Sequence, residues 1–222
     1  MATTLSSDPY PWPYDAVGST ALDPARMAVV ATGMQSYWVD QIHRCGVAVE
    51  RIYELIDELR SRGVAVLWTR HTRSAPAARP IDRFLPARST PSWELLVRPH
   101  AADVVIDTPG HDAFLSADTE IELRSRGIDR LVMVGLGTES TVSGTLRSAN
   151  DRGFECLTLT DAVAHHEPDT GAATLSSITM SGGIFGAIGS TPFLLAALDG
   201  WATPPTTEHE LDRGETLEKE PT

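Results

Sequence analysis

One turn of the sequence combines the residue types that acyl-transfer chemistry uses. Residues 135–142 read GLGTESTV, so a glycine-rich turn leads from an apolar run into a helix, and Thr141 falls in the first helical turn. Backbone amides at a helix start lack intrahelical acceptors and can hold an oxyanion. A threonine hydroxyl, however, attacks a substrate only when a base lies beside it. A simple strand-to-helix turn with a threonine cap explains the same residues without any chemistry.

Polar, aromatic and histidine side chains also follow the other apolar runs of the chain. Loops at the carboxyl ends of parallel strands converge on one crevice, so we expect these side chains to face a common small-molecule site. His111 and His166 are candidate acid–base groups, and Thr141 with its backbone amides is a candidate oxyanion site. A single loop histidine is more often solvated than functional, but several in one crevice favour a ligand site. The candidate binding residues are Gln35, Tyr37, Trp38, His71, Arg73, Trp93 and Thr138.

The elements that must position these residues alternate between strands and helices. Apolar, β-branched runs predict strands at 27–32, 64–69, 104–108, 131–135, 154–160 and 183–189. Helical periodicity predicts helices at 39–60, 117–126 and 139–151, the last capped by Thr138, while Pro168 and Pro192 each open a further helix. Strands buried on both faces between helices indicate a three-layer, doubly wound, Rossmann-like α/β fold. Its sheet is expected to be mostly parallel and six-stranded, with helices on both faces.

The chain divides into an arm, one domain and a tail. Residues 1–25 are rich in proline and aromatic residues and predict an extended arm, which is either a surface strap or a docking arm on a neighbouring subunit. Residues 26–200 form the α/β domain. Residues 201–222 form an acidic tail that we expect to be disordered, because it carries almost no apolar residues.

Composition excludes several function classes. The net charge is −12, from 18 basic and 30 acidic residues, which argues against nucleic acid or an anionic membrane as a partner. No apolar run approaches the roughly 18 residues of a membrane span, and the first residues lack the features of a signal peptide. The only cysteines, Cys45 and Cys156, fit a reducing compartment without disulfides. We therefore expect a cytoplasmic protein.

Four blocks of the sequence, in order, resemble the isochorismatase-like superfamily, which includes the cysteine hydrolases of nicotinamide, N-carbamoylsarcosine and biuret. They read AVVATGMQSYWV, DVVIDTPGHDAF, GIDRLVMVGLGTESTVSGTLRSANDRGFECLTLTDAVAHH and GGIFGAIGSTPFLLAAL, and together they span about residues 26–200. The resemblance implies the α/β fold, a site at the carboxyl edge of the sheet and a tendency to form dimers or tetramers. It also implies that Trp93 lids the pocket and that His166 stands where amide-hydrolysing relatives carry an arginine.

The chain departs from this family at the three residues that do its chemistry. Gly33 stands where the family has an acid–base Asp, Thr108 where it has a Lys, and Thr141 where it has the nucleophilic Cys. The single lysine of the chain is Lys219 in the tail, so no lysine of the domain replaces the missing one. Cys45 and Cys156 lie far in sequence from the nucleophile turn, and free cysteines are usually buried apolar residues.

No metal or cofactor is expected. Nicotinamidases of the family hold a metal through an Asp-x-His…His cluster after the second strand, but here that segment places His71 between Arg70 and Arg73. The neighbours His165 and His166 point to opposite sides of an extended segment, which is not a chelating arrangement.

Two functions remain open. The first is a pseudoenzyme that keeps the fold for small-molecule binding or for assembly, as a homo-oligomer or beside a competent homologous subunit. The second is an enzyme of altered chemistry, a hydrolase or lyase on a small polar metabolite, which uses His, Thr and Gln groups and no cysteine nucleophile. An ordinary cysteine amidase is disfavoured, because all three of its catalytic residues are replaced.

Overall fold

The fold is built on a six-stranded sheet. The computed structural model describes residues 22–39, 42, 45–72 and 93–199. Every strand pairing in it is parallel, and the strand order is β3-β2-β1-β4-β5-β6. The predicted doubly wound α/β fold is therefore confirmed. The strands are β1 Met27–Thr32, β2 Ala65–His71, β3 Val104–Thr108, β4 Arg130–Leu136, β5 Glu155–Ala164 and β6 Ala187–Gly189.

Helices cover both faces of the sheet. On one face, apolar residues of α2 and α7 pack on the strands, and on the other face α3, α4 and α5 do so. Burial on both sides explains why β1 consists of apolar residues and one threonine, all buried. The helices are α1 Ser36–Val39, α2 Cys45–Ser61, α3 Ala117–Ser125, α4 Ser143–Asp151, α5 Pro168–Ile178, α6 Met180–Gly183 and α7 Thr191–Asp199.

The strand order places a topological switch point between β1 and β4. The chain leaves β1 toward β2 on one side and leaves β4 toward β5 on the other, so the loops after β1 and β4 diverge. Ligands of doubly wound folds bind in the crevice that opens there, at the carboxyl ends of the strands. The candidate residues His71, His111 and His166 lie at or just after the carboxyl ends of β2, β3 and β5, at this edge.

Three local predictions were wrong. The helix predicted at 39–60 is split into α1 and α2. The last strand is only Ala187–Gly189, because residues 180–183 form a kinked helical turn in which Ser181 and two glycines have positive φ. Thr138 does not cap a helix. A π-helical turn, Thr138–Val142, precedes α4, and Gly137 with φ of 84° stands before it without a side-chain cap.

Several predictions fall outside the described residues. These are most of the arm over 1–25, the tail over 201–222 with Lys219, and Arg73 with the segment to residue 92. In the ranges that are described, no helix combines the length and apolar character needed to cross a membrane.

Candidate functional site

The centre of the crevice is closed by backbone rather than lined by catalytic side chains. Gly33 follows β1 with φ of 66°, and a Cβ added there would lie 2.3 Å from the carbonyl oxygen of Leu136. The same Cβ would lie 3.1 Å from the hydroxyl oxygen of Thr141. Position 33 therefore accepts glycine only, unless the backbone shifts. We call Gly33, Leu136 and Thr141 the floor of the site.

The Thr141 hydroxyl is directed into this floor. Its Oγ1 donates to the carbonyl oxygen of Leu136 at 2.5 Å and lies 3.2 Å from the hydroxyl oxygen of Thr32. The residue is 3% exposed. A hydroxyl has one proton to donate. The Thr141 hydroxyl uses that proton in its bond to Leu136, which stabilises the turn. The Thr141 hydroxyl is thus a structural group of this turn.

Thr108 is similarly committed at the end of β3. Its hydroxyl donates to the carbonyl oxygen of Asp112 at 2.8 Å and lies 3.2 Å from that of Gly110, so it ties the following loop together. Asp107 points to the opposite face of β3 and forms an ion pair with Arg70, as the alternation of strand side chains predicts.

Six aromatic and imidazole side chains from five segments of the chain meet above the floor. Their neighbouring ring centroids are 5.1–6.3 Å apart. The contacts form a closed circuit from Tyr37 through Trp93, His71, His111 and Trp38 back to Tyr37, with His166 beside Trp38. We call these six side chains the ring cluster. Its members Trp38, His71 and Trp93 are buried, and the others are half-buried. The predicted convergence of these loops is therefore observed.

Gln35 fixes the loops that carry the cluster. Its Nε2 donates to the carbonyl oxygens of His71 at 3.1 Å and of Trp93 at 2.5 Å, while its Oε1 accepts from the amide of His71 at 2.9 Å. The side chain is 1% exposed. The side-chain amide of Gln35 therefore joins the backbone at His71 to the backbone at Trp93. Gln35 was predicted to bind substrate. In the structure its side chain instead holds the backbone of His71 and Trp93 in position.

Thr138 and His165 form a second bridge, behind the site. The Thr138 hydroxyl donates its proton to a hydrogen bond with the carbonyl oxygen of Ala164 at 3.0 Å. It therefore accepts a hydrogen bond from Nδ1 of His165 at 2.8 Å. His165 packs on Gly171, where a Cβ would lie 2.2 Å from the imidazole Cγ. Thr138 is fully buried, so its hydroxyl holds the loop after β5 rather than facing the ring cluster.

His166 points the other way, toward the turn after β4. Its Nε2 lies 3.4 Å from the hydroxyl oxygen of Ser140, and both residues are half-buried. The carboxylate of Glu139 accepts hydrogen bonds from the backbone amides of His166 at 3.1 Å and Glu167 at 3.2 Å. These bonds join the turn after β4 to the loop after β5. Sequence reasoning missed Ser140, although its place beside Thr141 in the first helical turn was a usable signal.

Neither cysteine contributes to the site. Cys45 and Cys156 are buried and are not joined in a disulfide. Burial, and to a smaller extent the charge of Glu155, raises the pKa of the Cys156 thiol far above its ordinary value. A thiol in that state is not a nucleophile at neutral pH. In the ranges that the structure describes, no group of three or more His, Cys, Asp or Glu residues is placed to hold a metal ion.

Comparison with known proteins gives one family and one fold. The isochorismatase domain model matches residues 27–189. The isochorismatase family protein YrdC of Bacillus subtilis (strain 168) is 27% identical over 140 residues, which are 60% of this chain and 73% of that protein. Ureidoacrylate amidohydrolase RutB of Methylorubrum extorquens is 25% identical over 193 residues, 75% of this chain and 78% of that protein.

Solved structures share the architecture at low sequence identity. A cysteine hydrolase from Pseudomonas syringae pv. phaseolicola 1448A superposes with a TM-score of 0.72 and 23% identity, covering 79% of this chain and 93% of that one. N-carbamoylsarcosine amidase from Thermoplasma acidophilum gives a TM-score of 0.64 and 20% identity, covering 75% and 96%. At this identity the likeness establishes the fold.

Proposed function

The chain belongs to the isochorismatase family, and we propose that it binds a small molecule at the ring cluster without the hydrolysis that a cysteine nucleophile performs. In this sense it is a pseudoenzyme of the family. One observation supports the proposal most strongly. In the floor, the Thr141 hydroxyl is hydrogen-bonded to the backbone of Leu136, while aromatic and imidazole rings meet above it.

The chemistry of the ring cluster favours a small, planar, polar ligand. Indole and phenol rings offer flat apolar faces, and imidazoles add hydrogen-bonding nitrogens at their edges. A relative with 25% identity is named for ureidoacrylate, a small amide. We therefore propose planar amides and related acids as the ligand class.

Assembly is a further part of the proposal. Met180, Ile184 and Phe193 are 50–51% exposed near the end of the domain, which supports burial against another subunit. We propose a homo-oligomer, a dimer or tetramer, with the alternative of a competent homologous subunit as partner. Removal of residues 1–20 is expected to weaken the assembly. A light-scattering mass of 24.0 kDa for the intact chain would refute it.

A second function is an enzyme of altered chemistry. It is favoured by the two half-buried imidazoles, because His111 and His166 both contact Trp38 at ring distances of 5.6 and 5.3 Å. A ligand on Trp38 would lie within reach of both, and a positioned imidazole is the commonest acid–base group. Their placement supports proton transfer to or from a bound molecule.

Calorimetry and turnover assays on one set of compounds test the main proposal. Nicotinamide, N-carbamoylsarcosine, biuret and isochorismate are each expected to turn over far more slowly than about 1 per second. Binding of at least one planar amide of the set is expected, and Trp38→Leu should weaken it at least about 10-fold because the indole that holds His111 and His166 in place is lost. Tyr53→Phe, in α2 and outside the ring cluster, is the matched control. Rapid turnover, or binding that ignores Trp38, contradicts the proposal.

A further inference from the structure

The hydroxyl of Ser140 and the imidazole of His166 form a pair that the family's chemistry does not use. Ser140 Oγ lies 3.4 Å from His166 Nε2, in the turn Thr138–Val142. We propose that Ser140 is an acyl acceptor with His166 as its general base, and that the substrate is an ester or activated amide of a small planar acid. This rests on the proposed ligand site, because the acyl compound must be held beside Trp38.

A shift of one residue separates this pair from the closed floor. Consecutive residues of a helical turn point in different directions. Thr141 directs its hydroxyl to the Leu136 carbonyl, whereas Ser140 directs its hydroxyl toward the loop after β5. Ser140 Oγ also lies 3.4 Å from the carbonyl oxygen of Gly137, to which it can donate until a base takes its proton. Ser140 is half-buried and Thr141 is 3% exposed. Of these two neighbours, Ser140 is the one that a molecule in the crevice can reach.

Gly137 lets the backbone of the turn lie close to the pair. A Cβ at residue 137 would lie 2.6 Å from Ser140 Oγ and 3.4 Å from His166 Nε2, so a side chain there would displace the serine hydroxyl. The positive φ of 84° also requires glycine at this position. The geometry of the pair therefore depends on residue 137 having no side chain.

Glu139 positions the imidazole. Its carboxylate accepts the backbone amides of His166 and Glu167, which holds the loop after β5 against the turn that carries Ser140. The edge of Trp38 contacts the His166 ring with centroids 5.3 Å apart. The Oγ to Nε2 distance of 3.4 Å is longer than a working bond, as is common before a substrate tightens such a pair.

The proposed reaction balances without any co-reactant other than water. Ser140 Oγ attacks the carbonyl carbon and its proton passes to His166 Nε2. The bond to the leaving alcohol or amine breaks, and His166 returns the proton to the leaving atom. Water then attacks the Ser140 ester, giving its proton to His166, and the acid leaves as the proton returns to Ser140 Oγ.

Covalent labelling tests the nucleophile on the full-length protein. A fluorophosphonate probe, which loses fluoride to an activated serine, is expected to form an adduct that peptide mass spectrometry maps to Ser140. Ser140→Ala should abolish the adduct, and His166→Gln should slow its formation at least about 100-fold, the usual contribution of a general base. Ser143→Ala, at the start of the following helix, is the matched control and should label at the wild-type rate.

Turnover of p-nitrophenyl benzoate adds a second readout. We expect hydrolysis that Ser140→Ala reduces at least about 100-fold. Glu139→Ala should lower kcat while KM stays within about twofold, and Glu139→Gln, which keeps an acceptor oxygen, should recover part of kcat. A lower kcat with an unchanged KM would not follow from a general loss of folding stability.

The outcomes separate this inference from the proposed function. An adduct on Thr141, or labelling that survives Ser140→Ala, overturns the assignment of the nucleophile. A folded protein that binds planar amides at Trp38 but forms no adduct at Ser140 also overturns it, and leaves the ligand site standing. An adduct on Ser140 in a protein whose amide binding ignores Trp38→Leu supports the nucleophile and removes the ligand site.

Discussion

The floor and the ring cluster of this site use polar groups in opposite ways. In the floor, the Thr141 hydroxyl donates to the Leu136 carbonyl, and Gly33 leaves no room for a side chain. In the ring cluster, imidazoles and aromatic rings contact each other through their faces and edges, and three of the six members keep half-buried surface toward the crevice. The floor therefore uses its hydroxyl within the turn, whereas His111 and His166 of the ring cluster stay half-buried.

The difference indicates that the floor residues are structural. A side chain at position 33 would collide with Leu136, and the hydroxyl at position 141 is held by a bond within the turn. Groups that could react with a ligand lie instead at the edge of the cluster, at Ser140, His111 and His166. Changes in the floor are therefore expected to alter folding stability, and changes in the cluster to alter binding.

The largest expected effect is on stability, at the floor. Gly33→Ala should lower the free energy of unfolding by about 4 kcal/mol, from a left-handed backbone and a Cβ pressed on a carbonyl oxygen. Gly63→Ala is the matched control, because Gly63 has φ of 84° but open space around its Cβ. It should cost about 1 to 2 kcal/mol. Urea denaturation measures both, and equal costs would show that the floor is not closed.

The next effect joins the two regions. Gln35→Met removes three hydrogen bonds and leaves buried backbone groups of His71 and Trp93 without them, which should cost about 3 kcal/mol. Because Gln35 holds the loops of the ring cluster, amide binding should also weaken. Gln35→Glu should not restore it, since a carboxylate repels the two carbonyl oxygens. Hydrogen exchange at the His71 amide, unchanged from wild type, would contradict this positioning role.

A smaller effect isolates the Thr141 hydroxyl. Thr141→Val keeps the shape and removes the bond to Leu136, which should cost about 1 to 2 kcal/mol. Thr141→Ser retains the hydroxyl and should cost less. Thermal unfolding of the two variants checks the order. A more stable valine variant would mean that the hydroxyl is held at an energetic loss, as catalytic groups often are.

The smallest effect comes from an ion pair outside both regions. Burial alone would raise the pKa of Asp103, but hydrogen bonds from Arg60, the Trp68 indole and the His100 amide hold that pKa below its ordinary value. A lowered carboxyl pKa stabilises the fold above the unfolded pKa, and that contribution is lost as pH falls through the folded value.

Asp103→Asn should therefore destabilise the protein near pH 7, by about 1 kcal/mol or less, and the difference from wild type should shrink below about pH 4. Denaturation at several pH values measures it. A difference that grows toward acid pH would contradict the lowered pKa of Asp103.

The sequence predicted the sheet well because its signals are local. Runs such as Met27–Thr32 and Val104–Thr108 were placed with their observed bounds, since continuous apolar, β-branched segments between turns are typical of buried strands. Residues 183–186 were taken as strand for the same reason, but their glycines adopt positive φ and turn the chain. The Thr138 cap was wrong because a carbonyl from β5, distant in sequence, competes for its hydroxyl.

The site was predicted as a set of loops but not as a set of contacts. The convergence of Trp38, His71 and His111 follows from strand topology alone. The closure of the floor depends on how closely Gly33 approaches Leu136 across paired strands, and the Ser140 to His166 pair depends on the rotation of a π-helical turn. Neither distance is encoded in local spacing.

A comparison of two introduced thiols distinguishes an open residue 140 from a closed residue 141. Ser140→Cys and Thr141→Cys place the same group on neighbouring residues, and iodoacetamide alkylation against pH reports the pKa and access of each. We predict that the thiol at 140, beside His166 in the first helical turn, reacts at least about 10-fold faster and with a pKa below the roughly 8.5 of a free thiol. The thiol at 141, buried against the Leu136 carbonyl, should have a raised pKa. The native Cys45 and Cys156 are buried and provide the background rate. Faster alkylation at 141 than at 140 would be the contradicting result, because position 141 would then be the open one.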